Sequence, residues 1–287
     1  MNGEQYCPVS RLRRILLSTD GSVYSEGAIR EAINLAKKCS SKLYAMSVVE
    51  VLTDYGAFSP QKVEESLEIK AKGHLETIKT RAANEGLECE IIISHGDPHK
   101  CIVDEAESKN VDMIVVGRRG MKGLKKLLVG EVAAKVIGYS SCKVLVVPKA
   151  AEITYKNILV ATDGSSNSEA AVTEAIGIAK QCGSKIIALS SIRSINEQDN
   201  ATTNVNRVVE LAQKEGVSVE ALTPMGRSYE TIVEVAGGKG VDLIVVGTYG
   251  MTGLKKMLMG SSTERVIGLA GCAVMIVKGE GEKTATV

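Results

Sequence analysis

Apolar and polar positions along the chain follow two alternating patterns. The run Ile15-Leu16-Leu17 is too short for a helix and is typical of a strand buried in a parallel sheet. The next segment, 22–39, carries alanine and isoleucine at the spacing of a helix with one apolar face. Strands alternating with helices predict a parallel sheet covered on both faces. The same reasoning predicts strands at 42–49, 89–93, 112–117 and 143–147, and helices near 61–84, 99–109 and 131–139.

The second part of the chain repeats this pattern. RILLSTDGS at 14–22 matches NILVATDGS at 157–165 with an offset of 143 residues. VDMIVVGRRGMKGLKKLLVG at 111–130 matches VDLIVVGTYGMTGLKKMLMG at 241–260 with an offset of 130 residues. The difference of 13 residues locates a deletion between the two matched blocks. Repeats of this length indicate a duplicated structural unit.

We therefore predict an α/β fold of two homologous domains. Each is expected to be a five-stranded parallel, doubly wound, Rossmann-like sheet with flanking helices. The predicted bounds are 1–148 for the first domain, 156–278 for the second and 279–287 for a charged, flexible tail.

Each half carries a glycine-rich segment directly after its fourth strand. Gly247 and Gly250 lack a Cβ atom, so backbone N–H groups there can approach an anion. After nine further residues, Gly260 and Ser261 open the last helix, whose free N–H groups and positive dipole end suit a phosphate. Glycines that only relieve crowding in a tight turn would leave the same spacing. The glycine pattern alone therefore does not decide between a phosphate site and a turn.

Together with an aspartate just after the first strand, G-x2-G-x9-G-[ST] resembles the nucleotide-binding signature of the universal stress protein family. The resemblance is to the tandem type, and it covers about 14–148 and 157–278. It implies a five-stranded parallel sheet and ATP bound at the glycine-rich segment, with Mg²⁺ or Mn²⁺ as a possible companion. It also implies that the two halves pair through their last strands, 143–147 and 273–277.

The second half matches the family pattern in full. The resemblance assigns Asp163 to the adenosine and metal side of the nucleotide and Val246 to the neighbourhood of the base. It assigns the phosphate to Gly247, Gly250, Gly260 and Ser261, to which Ser262 and Thr263 could add hydroxyl donors.

The first half keeps only part of this pattern. At the position of Ser261 it has Glu131, and two apolar residues replace the hydroxyls that follow. In a phosphate site, this carboxylate would repel the ligand and occupy the helix N–H groups, while Arg118 and Arg119 could either neutralise it or grip phosphate. We expect a weakened or occluded first site and a competent second one. The matching positions are Asp20, Val48 on the adenine side, Gly117, Gly120 and Gly130.

The second half also departs from the first at two places. Ser191 stands at the position of Val48, and GRSYE at 226–230 replaces GDPHK at 96–100. A serine near the base can still be accommodated, so the expected site remains.

Composition limits the range of partners. The chain has 287 residues, of which 44% are hydrophobic, and a net charge of +1, so charge gives no argument for nucleic acid or membrane. No apolar run approaches the roughly 20 residues of a membrane span, and the N-terminal segment has no secretory signal pattern. We expect a cytoplasmic protein that binds ATP and has the capacity to form a homodimer.

The cysteines show no metal-binding motif. Cys39 and Cys182 occupy equivalent positions, as do Cys142 and Cys272, which favours small buried side chains over a disulfide framework. A reactive thiol is most plausible at Cys7.

Several enzyme classes lack support. There is no G-x4-G-K-[ST] segment and no G-x-G-x-x-G after a first strand. His95 and His99 are interpreted as polar loop residues of the first half, so no histidine acid–base pair serves the second site. The main hypothesis is an ATP-dependent regulator of a stress response. The alternatives are a slow ATPase or self-phosphorylating protein, with Ser261, Ser262 or Thr263 as the acceptor, and a nucleotide-free scaffold.

Overall fold

The computed structural model describes residues 7–50, 60–119, 129–248 and 259–279. The strands within these ranges are β1 (Arg14–Ser18), β2 (Lys42–Val49), β3 (Cys89–His95), β4 (Met113–Gly117), β5 (Lys143–Val147), β6 (Asn157–Ala161), β7 (Lys185–Leu189), β8 (Val219–Leu222), β9 (Leu243–Gly247) and β10 (Ala273–Val277). The α-helices are α1 (Glu26–Cys39), α2 (Pro60–Asn84), α3 (Pro98–Ser108), α4 (Glu131–Tyr139), α5 (Ser166–Cys182), α6 (Gln198–Lys214), α7 (Ser228–Gly238) and α8 (Ser261–Leu269). None of them combines the length and apolar character that crossing a membrane requires.

The strands form one continuous sheet with the order β3-β2-β1-β4-β5-β10-β9-β6-β7-β8. Within each half all neighbouring strands are parallel, as the alternation of strands and helices predicts. The halves meet where β5 and β10 pair antiparallel, with Leu145 opposite Met275. The pairing through the last strands that the family resemblance implied is therefore confirmed.

The strands are continuously apolar because helices cover both faces of the sheet. Ile15 and Leu17 face the core shared with α1, α2, α5 and α6, whereas Leu16 faces the core shared with α3, α4, α7 and α8. All three side chains are fully buried. Burial on both faces explains why three successive apolar residues were a reliable sign of a parallel strand.

The strand order determines where a ligand crevice is expected in each half. In the first half the chain moves from β1 outward to β2 and β3, and then returns to the other side of β1 as β4. The second half repeats this reversal between β6 and β9. In open parallel sheets, ligands bind in the crevice beyond the carboxyl ends of the strands at such a reversal. Within the described residues, the turns after β1 and β6 and the first residues after β4 and β9 lie at these carboxyl ends.

The cysteine prediction is wrong for one pair. Cys7 and Cys39 form a disulfide that fastens the segment before β1 to the end of α1. The position equivalent to Cys7 in the second half is Ala150, and Cys182, the counterpart of Cys39, is an exposed free thiol. Only the first half therefore has both cysteines of the bridge.

For the second pair of equivalent cysteines, the predicted burial holds fully for Cys272 and in part for Cys142. Cys272 is buried and Cys142 is half-buried at the two ends of the β5–β10 junction. Burial raises the pKa of the Cys142 thiol to about 12 and that of Cys272 to about 11. Both thiols are therefore protonated at neutral pH.

Candidate functional site

A tight polar turn follows the first strand of each half. After β6, the Asp163 carboxylate accepts a hydrogen bond from the Ser165 N–H at 3.1 Å, and the Thr162 hydroxyl accepts one from the Gly164 N–H at 3.3 Å. Gly164 has a φ of +78°, which an L side chain rarely adopts. The turn therefore fixes the Asp163 carboxylate at the carboxyl edge of the sheet.

The equivalent turn after β1 has the same geometry. The Asp20 carboxylate accepts from the Ser22 N–H at 3.0 Å, and Gly21 has a φ of +74°. The neighbouring helix differs between the halves, since α2 places the His74 ring against Gly21, whereas α6 places the Asn204 amide against Gly164. Burial is the main cause that lowers the pKa of His74.

The glycine that ends the fourth strand is needed for packing. A Cβ atom on Gly247 would lie 2.8 Å from the backbone carbonyl of Asn167 in the first turn of α5. At Gly117 the closest atoms would be Ser25 Cα and the Tyr24 carbonyl, both at 3.2 Å. The sequence left open whether the glycines bind phosphate or only relieve crowding. At Gly247 the crowding is present, because a side chain there would collide with α5. Gly120 and Gly250 lie outside the described residues.

The start of α8 lies beside the end of β9. The Gly260 N–H donates to the Thr248 carbonyl at 3.0 Å, which ties the two ends of the glycine-rich segment together. Gly260 is the N-cap residue of α8 and carries no side chain that could accept from the first-turn amides. The N–H groups of that first turn have no carbonyl partner within the helix. This arrangement offers several N–H donors to an anion in the crevice.

The three hydroxyls at this helix start have different surroundings. Ser261 is exposed and Ser262 is half-buried, so both can face a ligand in the crevice. Thr263 is buried, and its hydroxyl donates to the Gly247 carbonyl at 3.2 Å. Thr263 therefore holds the end of β9 against α8.

The positions assigned to the base differ in accessibility. Val246 is only 5% exposed and contributes to the apolar core under α7 and α8. Val48 is half-buried at the end of β2. Its counterpart Ser191 donates a hydrogen bond to the Ser228 hydroxyl at 2.8 Å. In the second half, this position is therefore joined to the start of α7.

The first half differs from expectation at the start of α4. The Glu131 side chain does not occupy the N–H groups of its helix, because it is 73% exposed and pairs with Lys135 Nζ at 2.8 Å. The hydrogen bond from Lys135 is the main cause that lowers the pKa of the Glu131 carboxyl. Gly130, the N-cap residue, forms the same bond as Gly260, with its N–H 2.9 Å from the Arg118 carbonyl. The two helix starts thus share a backbone geometry and differ in their side chains.

The charged side chains around the two helix starts differ. Asp97 lies near enough to Glu131 to raise the pKa of that carboxyl, against the larger effect of Lys135. Asp97 and Glu131 correspond to Arg227 and Ser261 in the second half. The first half thus has two carboxylates at positions where the second half has a hydroxyl and an arginine that pairs with Glu230 at 3.4 Å. The first turn of α8 also carries one acidic residue, Glu264.

Two side chains in these surroundings were not foreseen. His99, interpreted from the sequence as a polar loop residue, lies in the first turn of α3, where it is buried, contacts the Asp97 carboxylate and stacks against Tyr139 with the ring centroids 5.5 Å apart. The helix predicted near 99–109 already included His99, and the Asp97-Pro98 pair is a helix-start signal that agrees with it, so the interpretation of His99 as a loop residue was wrong. Its counterpart Tyr229 carries Arg265 over its ring, with the guanidinium carbon 4.7 Å from the centroid.

Arg118 neither neutralises Glu131 nor points into the first crevice. Its Nη1 donates to the Ala270 carbonyl in the second half at 2.7 Å. Burial is the main cause that lowers the pKa of the guanidinium, which is half-buried. Residues 118 and 270 are far apart in the chain, so no local sequence signal could have shown this contact.

Comparison with known proteins relates both halves of the chain to one protein family. The model of the universal stress protein family matches the chain twice, at residues 11–148 and 154–278. A universal stress protein of Methanocaldococcus jannaschii is 36% identical over 140 residues, which cover 48% of this chain and 82% of the relative. One from Mycolicibacterium smegmatis is 28% identical over 285 residues, covering 92% of this chain and 96% of the relative.

A solved structure supports the arrangement of both halves. The crystal structure of a universal stress protein from Archaeoglobus fulgidus superposes with a TM-score of 0.78 and 20% sequence identity. The match covers 98% of this chain and 100% of the other. At this identity the likeness concerns the fold, which both proteins share over the full tandem length.

Proposed function

Since this chain belongs to the universal stress protein family, we propose that its second half binds ATP and that the chain acts as an ATP-dependent regulator in a stress response. The nucleotide's phosphates would lie beside the first turn of α8, at the carboxyl edge of the sheet. The first half would bind ATP weakly or not at all. The observation that carries this proposal is the exposed Ser261 hydroxyl at a helix start whose backbone geometry matches the start of α4, where the first half has Glu131.

The donors at the start of α8 suit a polyphosphate. The helix offers its first-turn N–H groups and the positive end of its dipole, which favour an anion. The exposed Ser261 hydroxyl adds a donor, and Arg227, which pairs with Glu230 at 3.4 Å, stands at the position of Asp97 in the first half. A divalent cation on the nucleotide would find a carboxylate at Asp163, which the turn after β6 holds in place. These groups fit a bound nucleotide without requiring a catalytic base.

The corresponding groups of the first half oppose an anion. Glu131 is exposed at the first position of α4, and Asp97 adds a second carboxylate nearby. Two unit charges 4 Å apart interact by about 1 kcal/mol in bulk water and by about 4 kcal/mol at an effective dielectric constant of 20. Because a triphosphate carries several negative charges, one carboxylate at this distance should weaken its binding by about tenfold or more.

An exchange of residues between the two halves tests the proposal. Ser261→Glu places the first-half residue in the second half, and Glu131→Ser makes the reverse change. A carboxylate in the first turn favours helix formation, so Ser261→Glu should leave the folded state intact. Thermal unfolding of each variant provides the control for folding.

Isothermal titration with Mg-ATP should give one binding event per chain for the wild type. Ser261→Glu should weaken that event about tenfold or more, and Glu131→Ser should leave it in place and strengthen binding in the first half. Unchanged affinity in Ser261→Glu would contradict the placement of the phosphates. No binding to the wild type at all would favour the nucleotide-free scaffold.

A further inference from the structure

Helices α4 and α8 flank the junction between the halves. They lead into the paired strands β5 and β10, so the C-terminal end of each helix lies close to the other half. The last carbonyl groups of a helix lack a partner within it and attract cations. Each of these two helix ends receives a cationic side chain from the opposite half.

Arg118 connects the two helices through its backbone and its side chain. Its carbonyl accepts the Gly130 N–H at 2.9 Å and thereby holds the start of α4. Its guanidinium crosses the junction and donates to the carbonyl of Ala270, the C-cap residue of α8, at 2.7 Å. Ala270 is 1% exposed, so little water is available to replace this donor.

The second half makes the reverse connection with different residues. Thr248, at the position equivalent to Arg118, accepts the Gly260 N–H at 3.0 Å and donates from its own hydroxyl to the Val277 carbonyl at 3.4 Å. The next residue, Lys278, donates from Nζ to the carbonyls of Gly138 and Ser140 at the end of α4. The start of each helix is thus linked to the end of the other helix, through Arg118 in one direction and through Thr248, Val277 and Lys278 in the other.

The contact of Arg118 acts on the same helix dipole that would receive the nucleotide. A nine-residue helix is roughly 14 Å long, so the start and the end of α8 form one short, rigid unit. The guanidinium is a cation close to the negative end of this dipole, and it is bonded to the C-cap residue that follows the helix. An anion at the start of α8 would interact with the positive end of the same dipole.

We propose that Arg118 is a positioning residue through which the first half sets the ATP affinity of the second half. It holds α8 from the C-terminal end, so that the first-turn N–H groups face the crevice beyond β9. The inference rests on the proposed ATP site in the second half. It gives the first half a function in that site, because Arg118 of the first half orients α8, the phosphate-binding helix of the second half.

The test compares Arg118→Gln with two matched variants. Arg118→Lys keeps a cation that can reach a helix-end carbonyl, as Lys278 does on α4. Arg13→Gln removes the same charge from an exposed side chain at the opposite edge of the sheet, before β1. Mg-ATP binding is measured by isothermal titration, and hydrogen exchange of the α8 amides is measured without nucleotide.

We expect Arg118→Gln to bind ATP about two- to fivefold more weakly, which corresponds to the usual strength of one cation at a helix end. Its α8 amides should exchange faster than those of the wild type. Arg118→Lys should restore most of the affinity, and Arg13→Gln should match the wild type in both measurements. Rescue by lysine distinguishes positioning by the cation from a general loss of packing.

Two results would overturn the inference. Wild-type affinity in Arg118→Gln would show that the contact with Ala270 does not influence the second site, while the proposed function would stand. An equal loss of affinity in Arg118→Gln and Arg13→Gln would show an effect of net charge alone. If the wild type itself bound no ATP, the proposed function would fail and this inference would fail with it.

Discussion

Replacing Gly247 with alanine should destabilise the protein, because the added methyl group has no room. Its Cβ would lie 2.8 Å from the carbonyl carbon and oxygen of Asn167 and 2.9 Å from the Asn167 Cβ. Such distances are far below a van der Waals contact between heavy atoms. Because Asn167 lies in the first turn of α5, relief would require a shift of β9 or of the helix itself.

The expected magnitude follows from the nature of the crowding. Inserting a methyl group into a well-packed region costs about 1–3 kcal/mol, and backbone neighbours favour the upper part of that range. At Gly117 the nearest atoms would be 3.2 Å away, so Gly117→Ala needs a smaller adjustment and should destabilise less. Gly177 in α5 has nothing within 4 Å of the added atom, so Gly177→Ala should stabilise by about 0.4–1 kcal/mol.

Urea unfolding followed by circular dichroism measures the free energies of unfolding of the wild type and the three variants. The stability should rise in the order Gly247→Ala, Gly117→Ala, wild type, Gly177→Ala. Wild-type stability in Gly247→Ala would refute the steric explanation, and the glycine would then need a reason in ligand binding alone. A loss of equal size at Gly117 and Gly247 would show that the difference in distance has no energetic meaning.

Two further predictions concern the first half. Cys7→Ser should lower the free energy of unfolding by about 3–4 kcal/mol, because the disulfide closes a loop between cysteines separated by 32 residues. A reducing agent should lower the free energy of unfolding of the wild type by a similar amount and should not change that of the variant. Stability should also fall as the pH drops below 6.5, because burial lowers the pKa of His74 from that value and the unfolded chain then binds a proton that the folded chain resists. The unfolding midpoint of His74→Gln should depend less on pH in that range, and an identical profile would contradict the assignment.

The fold could be predicted from the sequence because its two signals, short apolar runs for strands and one-sided apolar spacing for helices, are local and recur in both halves. Apolar runs such as Ile15–Leu17 have no solvent-facing positions, so they indicated strands covered on both faces. Element bounds differed by at most a few residues, as for β3, predicted at 89–93 and observed at Cys89–His95. The antiparallel junction of β5 and β10 came from the family resemblance, because no residue pattern specifies which edges meet.

Features that depend on distant residues could not be predicted. Cys7 and Cys39 lie on either side of β1 and come together only when the segment before β1 packs against α1. The contact between Arg118 and Ala270 exists only because the two halves join. The position of Glu131, in contrast, had a readable local signal, since Lys135 lies four residues later on the same helix face.

The number of ATP molecules bound per chain tests the central claim most directly. Equilibrium dialysis of the wild-type protein against Mg-ATP over a wide concentration range should reach a plateau near one, with the bound nucleotide protecting the α8 amides from hydrogen exchange. A plateau near two with equal affinities would show that the carboxylates beside α4 do not repel the ligand. No binding, or protection at α4 alone, would contradict the assignment of the nucleotide to the second half.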